Sequence, residues 1–423
     1  MSDTVDALLE MIRQPQRSDA AFEAMLDLFE RRPDELSCLL IQAMEAQAVR
    51  CEILVAAAEL LPDEDACEVY RFAWDRFKAG DSHWLVAEVC MQAARSAPEL
   101  LRDDWDAVLR LSESDEIGGL VWRHLPAETG YCWIREAKTK PPLAQWPTRN
   151  ALKASGIAEL QLAANELGGP LDEPWGTVDL EARTGKESRT GRALHGRRGL
   201  HVRFDAKIQR VQLADSRSVE RRFQRLHPTW AGGKVRTTAR MGGRLEGHCG
   251  ICGAPLQRLL DLDVRLVGPC SIPLVTFGLC LDCPDTGESG WCHGDPIFFR
   301  HDERGLPEAH ESQDRDSKIV PDDSTVLVDL EVELVELRSA RWEPVSYSGG
   351  WQNYSRVGGA PSWIQSGMYL SCPDCHRSMF FVMQLDSHVP LADGTLMPWM
   401  NGGVLYTFWC DQCRISGHYG QYS

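Results

Sequence analysis

No apolar run in this 423-residue chain approaches the roughly 18 to 20 residues that a bilayer-spanning helix needs. Its first stretch, MSDTVDALLEMIRQPQ, is polar and acidic and lacks the basic-then-apolar order of a secretory leader. Both absences lead to the expectation of a cytoplasmic protein with no membrane partner, in a compartment where thiols stay reduced. No Ser-His-Asp motif, P-loop or Gly-x-Gly-x-x-Gly following a strand occurs, so the common devices for acyl transfer and nucleotide binding are missing. Positive charge is outnumbered as well, 45 Lys/Arg standing against 62 Asp/Glu. The formal net charge is −17, which disfavours nucleic acid and favours a basic protein as partner. Residues 183–244 are the exception, with 17 Lys/Arg against four Asp/Glu. Phe204, Phe223 and Trp230 are the only aromatics there, so the stretch lacks interleaved stacking platforms. It reads as a face docked on the protein's own acidic parts or simply solvated, with nucleic-acid binding as the alternative.

What the chain does have is cysteine at metal-ligand spacing. Eight of its fifteen cysteines form four C-x-x-C pairs: Cys249/Cys252, Cys280/Cys283, Cys372/Cys375 and Cys410/Cys413. Two thiolates on one tight turn grip a tetrahedral ion, and two such knuckles complete a four-sulfur shell. In a reducing compartment this pattern points to two structural Zn2+ sites rather than to disulfides or a redox motif. The surroundings match too. Cys252 to Asp263 and Cys375 to Asp386 are both eleven residues apart, and a Thr-Phe pair (Thr276-Phe277, Thr407-Phe408) precedes each second knuckle. The region is read as a degenerate internal duplication.

The overall expectation is an α+β multidomain protein. Residues 1–125 show apolar positions at three- and four-residue steps, broken at Pro33, Pro62 and Pro98, and predict a HEAT-like α-solenoid of antiparallel helix pairs, with a helical bundle as the alternative because the repeat is not strict. Cys38, Cys51, Cys67 and Cys90 fall inside those helices and are expected to be small buried hydrophobes. Residues 126–199 read as a linker and joining region, proline-rich around KTKPPLAQWP and then with a helical turn at GIAELQLAANELGG. The period then shortens to strand-like alternation, HVRFDAKIQRVQL being the clearest run. A first β/zinc-knuckle module is expected over 200–310 and a second over 325–423, separated by a polar loop.

The second module resembles a known family. VGGAPSWIQSGMYLSCPDCHRSMFFVMQLDS followed by GGVLYTFWCDQCRISGHYGQ is similar to bacterial YwqG-like proteins and to the programmed-cell-death-2-type zinc-binding domain of eukaryotes. The carrying residues are Gly358, Gly359, Pro361, Trp363, the C-P-x-C knuckle, Gln384 to Asp386, and the strand entering the last knuckle. His227 to Trp230, Gly242-Gly243 and the first knuckle resemble a weaker copy, so the likeness covers about 225–423. It implies a β-rich fold with structural zinc and no established catalysis. The family's roles, in toxin–immunity neighbourhoods and in chaperoning a ribosomal protein, both amount to holding another protein. The first knuckle departs from the pattern, lacking C-P and having His248, Cys270, Cys292 and His293 nearby.

These features lead to a non-enzymatic zinc-binding interaction protein, plausible as an immunity protein or dedicated chaperone for a basic partner. Four sulfurs close a metal shell, whereas a catalytic zinc keeps one position open. Trp351, Tyr354 and Trp363, in or beside the Gly-rich loop SYSGGWQNYSRVGG, are candidate partner-binding residues because Trp and Tyr dominate binding hot spots. Asp263 and Asp386 are expected to accept backbone N–H bonds at strand ends. The rival reading is an enzyme or ligand-binding protein using the aromatic loop at 347–363 together with Asp386.

Overall fold

The computed structural model describes residues 3–14, 18–112, 119–122, 124–155, 157–164, 166–167, 199–204, 218–268, 270–281, 296–311, 325–337, 352–359, 361–364, 369–387, 389–397 and 403–421. These form two compact units. One joins the residues up to 167 with 218–227; the other joins 199–204 with 228–421.

The first unit is helical. α1 (Asp3–Ile12) and α2 (Ser18–Arg31), α3 (Glu35–Glu45) and α4 (Glu52–Leu60), α5 (Asp63–Lys78) and α6 (Trp84–Ser96) pack as successive pairs. In addition α1 touches α3 and α3 touches α5, while α2 touches α4 and α4 touches α6, so the pairs stack in two rows. Local chemistry sets the helix ends. α5 starts after Pro62 with Asp63, Glu64 and Asp65 in its first turn and ends with Arg76 and Lys78, complementing the helix dipole at both ends. The apolar stripes meet inside: Phe22, Leu39, Leu54, Val69 and Val86 are fully buried, each worth roughly 1.5–3 kcal/mol of transfer free energy. Helices continue past residue 125, through the expected joining region, as α9 (Ala127–Ala137), α10 (Trp146–Ala154) and α11 (Ala158–Ala164). α7 (Trp105–Ser112) and the single turn α8 (Gly119–Trp122) precede them, and a later helix, α12 (Ser218–Leu226), packs on α2. Among the described residues no helix is long and apolar enough to cross a membrane.

The second unit is built on antiparallel sheet, with one short α-helix among the described residues, α13 (Pro228–Ala231). Its strands are β1 (Leu200–Arg203), β2 (Lys234–Met241), β3 (Arg244–His248), β4 (Pro255–Leu262), β5 (Val275–Leu279), β6 (Ile297–His301), β7 (Pro307–Ala309), β8 (Leu330–Glu336), β9 (Arg356–Val357), β10 (Phe380–Asp386), β11 (Val389–Pro390), β12 (Leu396–Met397), β13 (Val404–Cys410) and β14 (Ile415–Gln421). Nine of them make one sheet in the order β2-β8-β1-β9-β10-β13-β14-β6-β7; β3-β4-β5 form a second sheet, and β11-β12 a small ribbon. Of the run HVRFDAKIQRVQL only β1 and Phe204 fall within the described residues.

The suspected duplication is visible in backbone register. The residue before the first cysteine bridges the third residue after the second, as His248↔Pro255 and as Ser371↔Ser378. Six residues after Cys252 and Cys375, Arg258 and Phe381 pair with Gly278 and Phe408, each two before the next knuckle, and a β-bulge follows at that step in both halves. A double glycine leads into each half with two consecutive left-handed residues: Gly242 and Gly243 at φ +76° and +77°, Gly358 and Gly359 at +68° and +69°. Gly242 N–H donates to the Arg258 carbonyl and Gly358 N–H to that of Val382, so each pair abuts its bulged strand. The Thr-Phe pairs, by contrast, are not equivalent. Thr276 pairs with Asp261 and Thr407 with Met383, one register step apart, because Thr276 stands four residues before Cys280 but Thr407 three before Cys410. The halves also part after the second knuckle. β14 folds back on β13 within its own half, whereas β6 leaves the β3-β4-β5 sheet and pairs with β14.

Candidate metal centres

The first knuckle of each half is a turn closed by backbone before any metal is considered. Cys249 N–H donates to the Ala254 carbonyl and Gly253 N–H to that of Cys249; Cys372 N–H donates to Arg377 and His376 N–H to Cys372 in the same pattern. This turn needs a left-handed residue just after the second cysteine. Gly253 (φ +81°), His376 (φ +56°) and Arg414 (φ +53°) take that role in three of the four knuckles.

The turns bring Cys372, Cys375, Cys410 and Cys413 together, all four Sγ atoms lying within 4.8 Å of one another. Cys249, Cys252 and Cys280 converge in the same way; Cys283 lies outside the described residues, as do Cys292 and His293. Sγ–Sγ separations of 3.6 Å (Cys375–Cys410) and 3.4 Å (Cys252–Cys280) are too long for disulfides. They suit a tetrahedral four-sulfur shell, whose sulfurs sit about 3.8 Å apart at ordinary metal–thiolate bond lengths. Both clusters can therefore hold a metal ion. In the second cluster the electrostatics agree: hydrogen bonding from the Cys410 thiol, with the Cys375 and Asp374 N–H groups, outweighs burial and pulls Cys372 down to about 5. A metal would replace the protons that Cys410 and Cys413, whose thiols are pushed up beside Cys372, retain.

The remaining candidates fall elsewhere. His248 is exposed and outside the first cluster. Cys270, near the first knuckle in sequence, instead meets Asp411 and Trp409 of the second half, and burial pushes its thiol up to about 11. In the helical unit only Cys90 is fully buried; Cys51 and Cys67 are half-buried, and Cys38 is exposed, on the solvent side of its helix. Trp351 lies outside the described residues. Tyr354 is only 2% exposed, so its ring is core rather than groove wall. Trp363 is half-buried, with its ring 4.6 Å from Tyr406 and stacked on Phe408. Asp263 caps a 3-10 turn by accepting from Arg265 N–H, and Asp386 accepts from Ser387 N–H. Burial pushes the Asp386 carboxyl up to about 7, with N–H bonds from Ser387 and Tyr354 acting the other way.

Other polar contacts hold the two halves together, and neither spacing nor composition signals them because their partners are far apart in sequence. Asp374, inside the third knuckle, accepts from Arg300 at 2.9 Å and lies 3.0 Å from His310 Nε2, both on or next to the β6–β7 hairpin. Asp411, inside the fourth, accepts from the backbone and hydroxyl of Ser271. Between β6, β14 and β13 runs a buried chain. His301 Nδ1–H donates to the Gly305 carbonyl, so its Nε2 accepts from the Ser416 hydroxyl. Ser416 in turn accepts from His418 Nε2–H, leaving His418 Nδ1 to accept from Thr407. Burial lowers His301 to about 4 and His418 to about 3, which keeps both imidazoles neutral and in these tautomers.

The basic stretch meets acid inside the molecule. Arg203 pairs with Glu333, Arg236 with Glu336 and Arg240 with Asp329, ion pairs onto β8 and the residue just before it. Comparison with protein-family models, curated proteins and solved structures returns no match for the chain.

Proposed function

We propose that the protein is a non-enzymatic, zinc-stapled interaction protein that holds a basic polypeptide, in the manner of an immunity protein or dedicated chaperone. The observation that carries this is the four-sulfur cluster of Cys372, Cys375, Cys410 and Cys413. Such a shell has no vacant position for substrate and no His or carboxylate ligand to tune a bound water, so it staples rather than reacts. Zinc is the fitting ion for four thiolates in a reducing cytoplasm. The two matched halves support a duplicated YwqG-like β-region. The two-row stacking of α1 to α6 supports a HEAT-like α-solenoid, a scaffold suited to gripping another chain. The net charge of −17 fits a basic partner, whose approach it would steer.

The enzyme reading has less behind it. Asp386 has a raised carboxyl, but its polar contacts are backbone N–H groups rather than a second titrating side chain. Nucleic-acid binding through 183–244 is likewise weakened by the carboxylates that engage Arg203, Arg222, Arg236 and Arg240. Elemental analysis of the full chain should give two zinc ions per polypeptide, and affinity isolation from the source cell one basic protein in stoichiometric amount. Zinc without a partner would leave the staple standing and sink the binder; fewer than two ions would sink the staple.

A further inference from the structure

α12 belongs to the helical unit although 53 residues separate Ser218 from the end of α11. Its sequence, SVERRFQRL, places Val219 and Phe223 four apart on one buried face. The Phe223 ring lies 6.0 Å from Phe22 of α2. Beside it the Arg222 guanidinium reaches Glu23 at 2.5 Å, Asp27 at 2.6 Å and also Glu30. Those three carboxylates stand at i, i+4 and i+7, one stripe of α2, and Phe22 adjoins the first of them. Arg222 faces three carboxylates that each remain 41–48% exposed, and among the described residues only Asp27 of these has a second cation, Arg31 at 4.0 Å. Three carboxylates against two guanidinium groups leave the stripe with surplus negative charge open to solvent.

We propose that this acidic and apolar face of α2 is a helix-docking surface, occupied in cis by α12, and that the partner presents a basic amphipathic helix of the same pattern. The inference rests on the reading of the protein as a binder of a basic polypeptide and names the element that is recognised. The required pattern is an arginine followed by an aromatic residue, with an apolar residue four positions before the aromatic. This is the helix-in-groove mode, with the arginine choosing orientation and the aromatic filling the apolar cleft. A tethered helix sits at an effective concentration on the order of millimolar, so α12 keeps weak basic helices off the face while yielding to a partner that binds more strongly.

The test uses the full chain and a fluorescent peptide of residues 217–228. Wild type should take up the peptide only near millimolar concentration. Arg222→Glu, which sets a like charge against the α2 stripe, should bind it about tenfold more tightly or better. A peptide carrying the same Arg→Glu change should not bind that variant. An Arg222→Glu chain that keeps its thermal transition yet ignores the peptide overturns the proposal. If the variant fails to fold, amide exchange of the wild type decides: α12 should open faster than α2 to α6, and equal protection overturns the proposal. Peptide binding with no basic partner recovered from the cell would keep this surface and reject the broader reading.

Discussion

Asp386 shows how one side chain can carry opposite readings. Its carboxyl is pushed from an ordinary value near 3.8 to about 7, chiefly by burial, which from sequence and position alone suggests a general base. The same shift is a statement about stability. Below pH 3.8 both folded and unfolded chains hold the proton and the residue contributes nothing unfavourable. Between about pH 4 and 7 the unfolded chain releases the proton first, so folded stability is lost as pH rises, and the loss levels off above 7. An amide keeps an acceptor for the Ser387 and Tyr354 N–H groups without the charge. Asp386→Asn should therefore gain on wild type in urea melts from pH 4 to 7, then run parallel to it, with metal content unchanged. A variant less stable than wild type at pH 8 would show that the ionised carboxylate is needed there.

At the level of elements, the double glycines show what local sequence can and cannot reveal. A Cβ on Gly242 would lie 1.8 Å from the Val328 carbonyl oxygen, in a residue already at φ +76°. Gly394, at φ +89°, has nothing within 4 Å of its Cβ position. Gly242→Ala should thus cost well over 2 kcal/mol, because backbone must move, whereas Gly394→Ala should cost about 1 kcal/mol of backbone strain alone. Chemical denaturation of the two variants checks this; equal losses would mean that Gly242 does not dock on the β-region as described. The knuckles, their pairing and the matched strands were legible because C-x-x-C spacing and the constant distance from each knuckle to the strand that follows it are local features. The Asp263/Asp386 correspondence was legible too, since both stand eleven residues past a cysteine. The Thr-Phe match misled because a one-residue offset from the cysteine is a register step, which reverses the face a side chain takes. The transfer of β6 to β14 and the His301–Ser416–His418–Thr407 chain depend on contacts more than a hundred residues apart, as in His301 to Ser416. No local pattern encodes such contacts. α9 and α10 were obscured by the prolines around 141 and 147, Pro147 in fact standing in the first turn of α10, where its missing N–H costs nothing.

For the molecule as a whole, the placement of the thiols decides what metal removal does. Cys249, Cys252 and Cys280 are part of the larger apolar core of the sheet unit, alongside Leu260, Phe277 and Trp409. Cys372 and Cys410 sit in its second core with Phe381, Tyr406 and Phe408. Stripping metal would leave sulfurs within 4.8 Å that must each take a proton or repel, inside cores that rely on their closeness. Structural zinc contributes on the order of 10 kcal/mol to small thiolate sites, comparable with the whole stability of a typical domain. The helical unit has no share in this, since the thiols of both clusters lie in the sheet unit and the helical core is built on Phe22, Leu39, Leu54, Val69 and Val86. A chelator added under reducing conditions at neutral pH should therefore erase amide protection in β4, β5, β10, β13 and β14 while leaving α3 to α6 protected, and resupplied zinc should restore it. If the helices lost protection together with the strands, the two units would be one cooperative body, and the metal would hold up the whole chain rather than its sheet-forming half.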